Sequence, residues 1–329
     1  MKSKQVAIVT GANTGIGRET ALALAKSDIK VFLACRNVDK GREAVGYIQD
    51  ACPGADVEVL HLDMMSMDSI RKCASEFKSR KLPLNILVNN AGFNSQEPSY
   101  SPEGIGGSAQ VNFLGPYTFT RLLEEDLTRG APSRVVNVSS VTSRYSDVFN
   151  PVSFLNKYEE GLYARTKLAN ALFAHEAQLR WQGQGIESSA VDPGSVYSDI
   201  WRNQAFGRPP FSWLLKALYA PTWDGAKPVI YAAIAPYSAE KKNNRPYRFF
   251  ARGVFASPLI TSSPPRVLEL PVALATLFGS LIDWPVRRLT GGLIWGKVKE
   301  VAGPKFSYDR DFSSRLWKHA ATVAGFSKE

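Results

Sequence analysis

Hydrophobic positions along the chain fall into short, almost continuous runs of Val, Ile and Leu, separated by longer stretches of mixed polarity. The runs Val6–Thr10, Val31–Ala34, Val57–Leu60, Ile86–Asn89, Arg134–Val138 and Ser188–Val191 read as strands, and Tyr247–Phe250 as a last one. Between them, Glu19–Ser27, Lys40–Ala51 and Ser66–Ser79 have helix length. Strands that alternate with helices imply a parallel sheet covered on both faces, and near-continuous apolar runs suit strands buried on both sides. The expected fold class is therefore α/β, with one doubly wound parallel sheet and helices on both faces. Pro258, Pro264 and Pro265 cluster where this pattern ends. They divide the chain into a body, residues 1–258, and a C-terminal extension, residues 259–329.

Composition separates the two parts. Of 329 residues, 44% are hydrophobic and 21% charged, which excludes a disordered chain. The net charge is +10, but residues 241–329 hold 15 Lys and Arg against 6 Asp and Glu, whereas the preceding 240 residues hold 25 against 24. The extension is the basic part. Cys35, Cys52 and Cys73 form no CxxC pair, and His61, His175 and His319 lie far apart. No metal-ligand spacing is recognisable, and a reducing, intracellular compartment is expected. No signal peptide is visible: the apolar start Gln5–Thr10 runs directly into a glycine turn. The longest apolar stretch, Leu270–Ile282, has 13 residues, short for a membrane span.

That glycine turn carries the first chemistry. The first strand ends in Thr10-Gly11-Ala12-Asn13-Thr14-Gly15-Ile16-Gly17, and a helix pattern follows from Arg18. Glycines allow a sharp turn and close approach by phosphate oxygens, and the helix start offers unpaired N–H groups. A strand, a glycine-rich turn and a helix form the usual dinucleotide arrangement of a Rossmann-type sheet. The second strand ends in Cys35-Arg36-Asn37, where enzymes using NAD carry an acidic residue on the ribose. Arg36, with Arg18 as a second cation, suits a 2′-phosphate and favours NADP(H) over NAD(H). The bland alternative is that both are surface arginines.

Tyr163 and Lys167, four apart in a helical pattern, share one face. A phenol is a poor base near neutrality unless a nearby cation stabilises its anion. A second YxxxK, Tyr237–Lys241, lies beyond this region and is assigned to chance. Ser139 and Ser140 end a strand before Tyr163, where active groups of open α/β sheets sit.

The spacing TGxxxGxG, with the wording LACRN, VNNAG and YARTKLAN, resembles the short-chain dehydrogenase/reductase superfamily and most of all its retinol-dehydrogenase-like branch. The resemblance runs through most of residues 5–257. It implies an oxidoreductase that interconverts an aldehyde or ketone and its alcohol by hydride transfer. It also implies a catalytic tetrad of Asn112, Ser140, Tyr163 and Lys167, with Tyr163 exchanging the proton, Lys167 lowering its pKa, and Asn112 holding a water; Ser139 is the alternative serine. Cofactor contacts implied in the same way are Gly11, Asn13, Thr14, Gly15, Ile16, Gly17, Arg18, Arg36, Asp63, Asn90, Ala91, Gly92, Tyr163, Lys167, Pro193, Gly194, Val196 and Ser198. Asn89 is as well suited to supporting the sheet as to touching cofactor.

The resemblance makes 195–223 a substrate lid, and this segment carries seven aromatics: Tyr197, Trp201, Phe206, Phe211, Trp213, Tyr219 and Trp223. They suit an apolar small-molecule substrate; packing against the body, or facing a membrane, are the other uses. The extension holds Trp284, Trp295 and Trp317 beside Arg287, Arg288, Lys297 and Lys299. Peripheral binding to the cytoplasmic face of a membrane is one expectation for it, a helical appendage or a homo-oligomer interface another. No nucleic-acid motif is present. The rival to an enzyme is a cofactor-binding regulatory or membrane-associated scaffold protein with little turnover.

Overall fold

The computed structural model describes residues 4–94, 98–146, 149–156, 162–198, 200, 211–236, 247–252, 283–289, 297–301 and 303–326. The edge at Ser257–Pro265, the stretch Leu270–Ile282, Trp201, Phe206, Trp295 and the segment Tyr237–Lys241 lie outside them. Eight strands form one sheet: β1 (Val6–Thr10), β2 (Lys30–Cys35), β3 (Val57–His61), β4 (Ile86–Asn89), β5 (Ser133–Val138), β6 (Ile186–Val191), β7 (Arg248–Arg252) and β8 (Val298–Val301). Their spatial order is β3-β2-β1-β4-β5-β6-β7-β8. Pairing is parallel from β3 through β7, and β8 closes the edge antiparallel to β7, with Phe249 opposite Val301. The fully parallel sheet expected from sequence thus acquires a reversed edge strand.

The helices are α1 (Gly15–Lys26), α2 (Val38–Ala51), α3 (Met67–Ser79), α4 (Gly107–Ala109), α5 (Gly115–Leu122), α6 (Glu124–Arg129), α7 (Pro151–Asn156), α8 (Leu162–Arg180), α9 (Phe211–Leu218), α10 (Thr222–Ile234) and the C-terminal helix Arg310–Ala324. Strand alternation sorts them into two layers. Val6 and Ile8 of β1 join one apolar cluster with side chains of α3, α5 and α8. Ala7 and Val9 join another with α1, α2 and α10. Side-chain caps set the starts of two helices: Asn37 accepts the Lys40 N–H at 2.9 Å, and Ser66 accepts the Ser69 N–H at 3.2 Å.

The described parts of 259–329 are built into this body rather than appended to it. β8 belongs to the sheet. In the C-terminal helix, Phe312, Leu316, Trp317, Ala320, Ala321 and Ala324 form one apolar stripe, buried in the same cluster as Tyr117, Phe173 and Trp181. The Asp309 side chain caps its start at the Phe312 N–H, and Gly325 ends it at φ +80°. Its charges stand on the other side, where Arg315 pairs with Asp311 at 3.0 Å. Trp317 is therefore a core residue, not part of an aromatic edge facing lipid. Among the described residues, no helix is long and apolar enough to cross a membrane.

Candidate active site

The strand order reverses between β1 and β4, which opens a crevice at the C-terminal ends of the strands. A cavity of about 430 Å³ lies there. The glycine turn forms its floor. Gly11 and Gly15 have φ of +65° and +58°, in the left-handed region open to glycine. A Cβ on Gly17 would come within 2.5 Å of both Asn90 Nδ2 and the Gly11 carbonyl oxygen. A Cβ on Gly15 would meet nothing nearer than Thr222 Cγ2 at 3.9 Å, so the turn faces open space there. The Thr10 hydroxyl accepts the N–H groups of Asn90 and Ala91, each at 3.0 Å, and Asn90 Nδ2 donates to the Thr10 carbonyl at 2.9 Å. These bonds hold the turn against the end of β4. α1 follows with no acidic residue in its first turn. Bare N–H groups over an open cradle fit the pyrophosphate of a dinucleotide.

Arg36 stands at the end of β2 on the cavity wall, exposed and with no hydrogen bond or ion pair among the described residues. Asp63 lines the same end, its carboxylate accepting the Met65 N–H at 2.9 Å. Asn13, Thr14, Ile16, Asn90, Ala91 and Gly92 also line the cavity. Gly17 and Arg18 do not. Arg18 pairs with Glu19 at 3.1 Å and lies over the Tyr47 ring at 4.0 Å, so it is occupied elsewhere. Asn89 does not line the cavity; its side chain joins the sheet to α5, donating to Thr120 Oγ1 at 3.0 Å and to Asn137 Oδ1 of β5 at 2.9 Å.

At the other end, β5 and α8 bring Ser140, Tyr163 and Lys167 to one wall. Ser140 is hydrogen-bonded to Tyr163. Ser139, though it also touches the cavity, is buried and gives its hydroxyl to the Lys167 carbonyl at 2.7 Å. Lys167 Nζ donates to the Val138 carbonyl at 3.0 Å and lies 5.5 Å from the Tyr163 ring centre. Burial pushes this ammonium down to about 8. The phenol moves opposite to the sequence expectation. Burial, above all, and then the charge of Asp192 push it up, while the Ser140 hydrogen bond pulls it down. Protein groups alone thus keep Tyr163 protonated.

Asn112 lies behind this wall. It sits in a π-helical turn, Gln110–Leu114, between α4 and α5. Its Oδ1 accepts the Phe93 N–H at 2.7 Å, and its Nδ2 donates to the Phe93 carbonyl at 2.8 Å and to Thr166 Oγ1 at 3.1 Å. The side chain therefore joins the loop after β4 to α8, one residue from Lys167.

Pro193, Gly194, Val196 and Ser198 line the cavity after β6, together with Ile200 and Tyr219. Of the aromatics in 195–223, Tyr219 alone among the described side chains reaches the wall, while Trp213 and Trp223 are 68% and 49% exposed. Three residues at this site had no role in the sequence reading: Thr10, Thr166 and Asp192. Asp192 is fully buried, and burial pushes its carboxyl up to about 6. Its place directly before Pro193-Gly194 was the available signal.

Known proteins match this arrangement. A family profile described as short chain dehydrogenase covers residues 5–207. Retinol dehydrogenase 11 of Mus musculus is 40% identical over 233 residues, 70% of this chain and 73% of its own. Retinol dehydrogenase 12 of Bos taurus is 38% identical over 237 residues, with the same coverage of both chains. Among solved structures, an uncharacterized protein from Mycobacterium paratuberculosis superposes with a TM-score of 0.68 over 99% of this chain and 96% of its own, at 22% identity. A gluconate 5-dehydrogenase from Burkholderia cenocepacia, in complex with NADP and tartrate, gives 0.55 over 70% and 88%, at 23% identity. The chain belongs to the short-chain dehydrogenase/reductase superfamily, in its retinol-dehydrogenase-like branch, and is an NAD(P)-dependent oxidoreductase.

Proposed function

We propose that the protein uses NADP(H) in preference to NAD(H) and interconverts an apolar aldehyde or ketone with its alcohol. The convergence of Ser140, Tyr163 and Lys167 on one wall of the cleft carries this reading. When bound, the dinucleotide supplies or accepts the hydride. The glycine turn and the start of α1 would hold its pyrophosphate, Asp63 and Arg36 its adenosine end, and Pro193–Ser198 its nicotinamide end. Arg36 supports the NADP(H) preference, because a free guanidinium on the wall suits a phosphate dianion.

At the reacting oxygen, Ser140 donates a hydrogen bond and Tyr163 gives up or takes the proton. Lys167 would brace the ribose of a bound dinucleotide and, as an ammonium, would steady the phenolate. Asn112 keeps the Phe93 loop and α8 in register. Val111, Val141, Ile200 and Tyr219 add apolar side chains to the cavity wall, which supports a bulky apolar substrate. The retinol named in two relatives is of that class. The test is NADPH consumption by the full chain against a panel of apolar aldehydes and ketones, including retinal and long-chain aldehydes. Turnover with at least one is expected. No turnover with any, while NADPH binds, would overturn the reading in favour of a cofactor-binding regulatory protein.

A further inference from the structure

We propose that Thr166 is a positioning residue for this reaction: its buried hydroxyl ties the start of α8, and with it Tyr163, through Asn112 to the loop after β4. The proposal rests on the reading that Tyr163 exchanges the proton. Tyr163 stands directly after Leu162, the first residue of α8. Helix ends fray, and a phenol that must meet a reacting oxygen needs that end held still. Thr166 lies three residues on and donates its hydroxyl to the Tyr163 carbonyl at 2.7 Å. Threonine in a helix commonly makes such a bond to the preceding turn. Here the same oxygen also reaches out of the helix, accepting Asn112 Nδ2 at 3.1 Å.

The direction of each bond in this chain follows from the donors present. The Phe93 N–H can only donate, so at 2.7 Å it requires the Asn112 oxygen, Oδ1. That orients the amide, and Nδ2 faces the Phe93 carbonyl at 2.8 Å and the Thr166 hydroxyl. An amide nitrogen donates, so the Thr166 oxygen accepts, and its single proton is left for the Tyr163 carbonyl. The backbone of Phe93, which lines the cavity with Gly92 and Asn94, is thereby joined to the backbone of Tyr163 on the other wall. Asn112 and Thr166 are both 0% exposed, so no solvent competes for these bonds. Valine has the shape of threonine but can neither accept from Asn112 nor donate to Tyr163. With valine, Asn112 keeps its two bonds to Phe93, so the loop stays fixed, while Tyr163 loses its tie to it. One Asn112 N–H is also left buried without its acceptor.

The test compares Thr166→Val, which keeps the shape and loses the hydroxyl, with Thr166→Ser, which keeps the hydroxyl and loses the methyl. NADPH affinity and turnover of the best carbonyl substrate of the panel are measured for both in the full chain. Thr166→Val is expected to lower kcat roughly 10-fold or more while NADPH affinity stays within about threefold, because small misplacements at the reacting atoms are costly. Thr166→Ser should keep kcat within about threefold of wild type. A Thr166→Val protein with full kcat, or a Thr166→Ser protein as impaired as Thr166→Val, would overturn the proposal. So would equal losses of kcat and NADPH affinity, which would assign the hydroxyl to the cofactor loop. If Thr166→Val does not fold, Thr166→Ala takes its place, and a kcat equal to that of Thr166→Ser would overturn the proposal. A second readout needs no turnover. In the ligand-free chain labelled with ¹³C at tyrosine Cζ, the Tyr163 resonance, identified by its loss in Tyr163→Phe, should move in Thr166→Val and stay in Thr166→Ser. A resonance unmoved in both would overturn the proposal equally. Turnover retained by Tyr163→Phe would instead refute the reading of the reaction, independently of Thr166.

Discussion

Replacing Trp317 by alanine tests whether the C-terminal helix belongs to the catalytic core. Trp317 is 3% exposed. Its ring meets Tyr117 edge-on at 5.1 Å, Phe173 at 5.6 Å and Trp181 at 6.3 Å. The guanidinium groups of Arg121 and Arg180 each lie 4.9 Å from it. Truncating a buried tryptophan costs about 3–5 kcal/mol through lost transfer energy and the cavity left behind. Three aromatic contacts and two cation–π contacts place this one at about 4–5 kcal/mol, since each contributes roughly 0.5–1 kcal/mol beyond burial. That is a large share of the ~5–15 kcal/mol that holds a typical protein folded. Urea unfolding followed by far-ultraviolet circular dichroism measures it without relying on tryptophan fluorescence. Trp213→Ala, at a 68% exposed position, is the control and should cost under about 0.5 kcal/mol. A loss below about 1 kcal/mol for Trp317→Ala would refute the packing described here. By the same reasoning, a chain ended at residue 258 loses β8 and this helix and should fail to fold.

Two further substitutions probe the site. Lys167 titrates at about 8 in the folded chain against 10.5 for an ordinary lysine, so the unfolded chain binds the extra proton between these values. Its burial therefore costs stability at pH 7, and the cost fades as pH rises from about 8 to 10.5. Lys167→Met should stabilise the ligand-free protein at pH 7 by about 2–3 kcal/mol while abolishing turnover; the Val138 carbonyl keeps its bond from Asn170 at 3.1 Å. A fall in melting temperature at pH 7 would contradict this. Arg36→Asp should weaken NADPH binding roughly 10–100-fold and leave NADH binding little changed, as expected for losing about 1.5–3 kcal/mol of charge-assisted hydrogen bonding. Calorimetric titration of both dinucleotides measures the ratio, and an unchanged ratio would exclude Arg36 as the phosphate partner.

The parts of the fold visible in sequence are those set by local pattern. Strands β1 to β6 appear as Val/Ile/Leu runs because burial on both faces leaves no polar positions to break them. The glycine turn is legible because Gly11, Gly15 and Gly17 each answer a backbone need. Tyr163 and Lys167 are legible because four residues make one helical turn. What stayed hidden depends on long-range placement. The net charge of the tail masked the stripe through Phe312, Leu316 and Trp317, whose burial requires α5 and α8 to be in place. β8 is only four residues long and mixes Lys299 and Glu300 with valines. Counting aromatics between 195 and 223 gives no direction, so Tyr219 on the wall and Trp213 in solvent looked alike. Arg18 and Arg36 looked alike for the same reason until Glu19 and Tyr47 were found on one of them. Asp192 had no role in the sequence reading, since its burial depends on the elements that close around the end of the sheet.

The central claim is that Tyr163 exchanges the proton with the substrate oxygen. Its most direct test is NADPH-dependent turnover of the best aldehyde or ketone in the panel by wild type and Tyr163→Phe, with NADPH affinity measured for both. The account predicts that NADPH affinity stays within a few-fold while kcat falls at least ~100-fold, the usual contribution of a positioned proton donor. A Tyr163→Phe protein that keeps most of its kcat would contradict it.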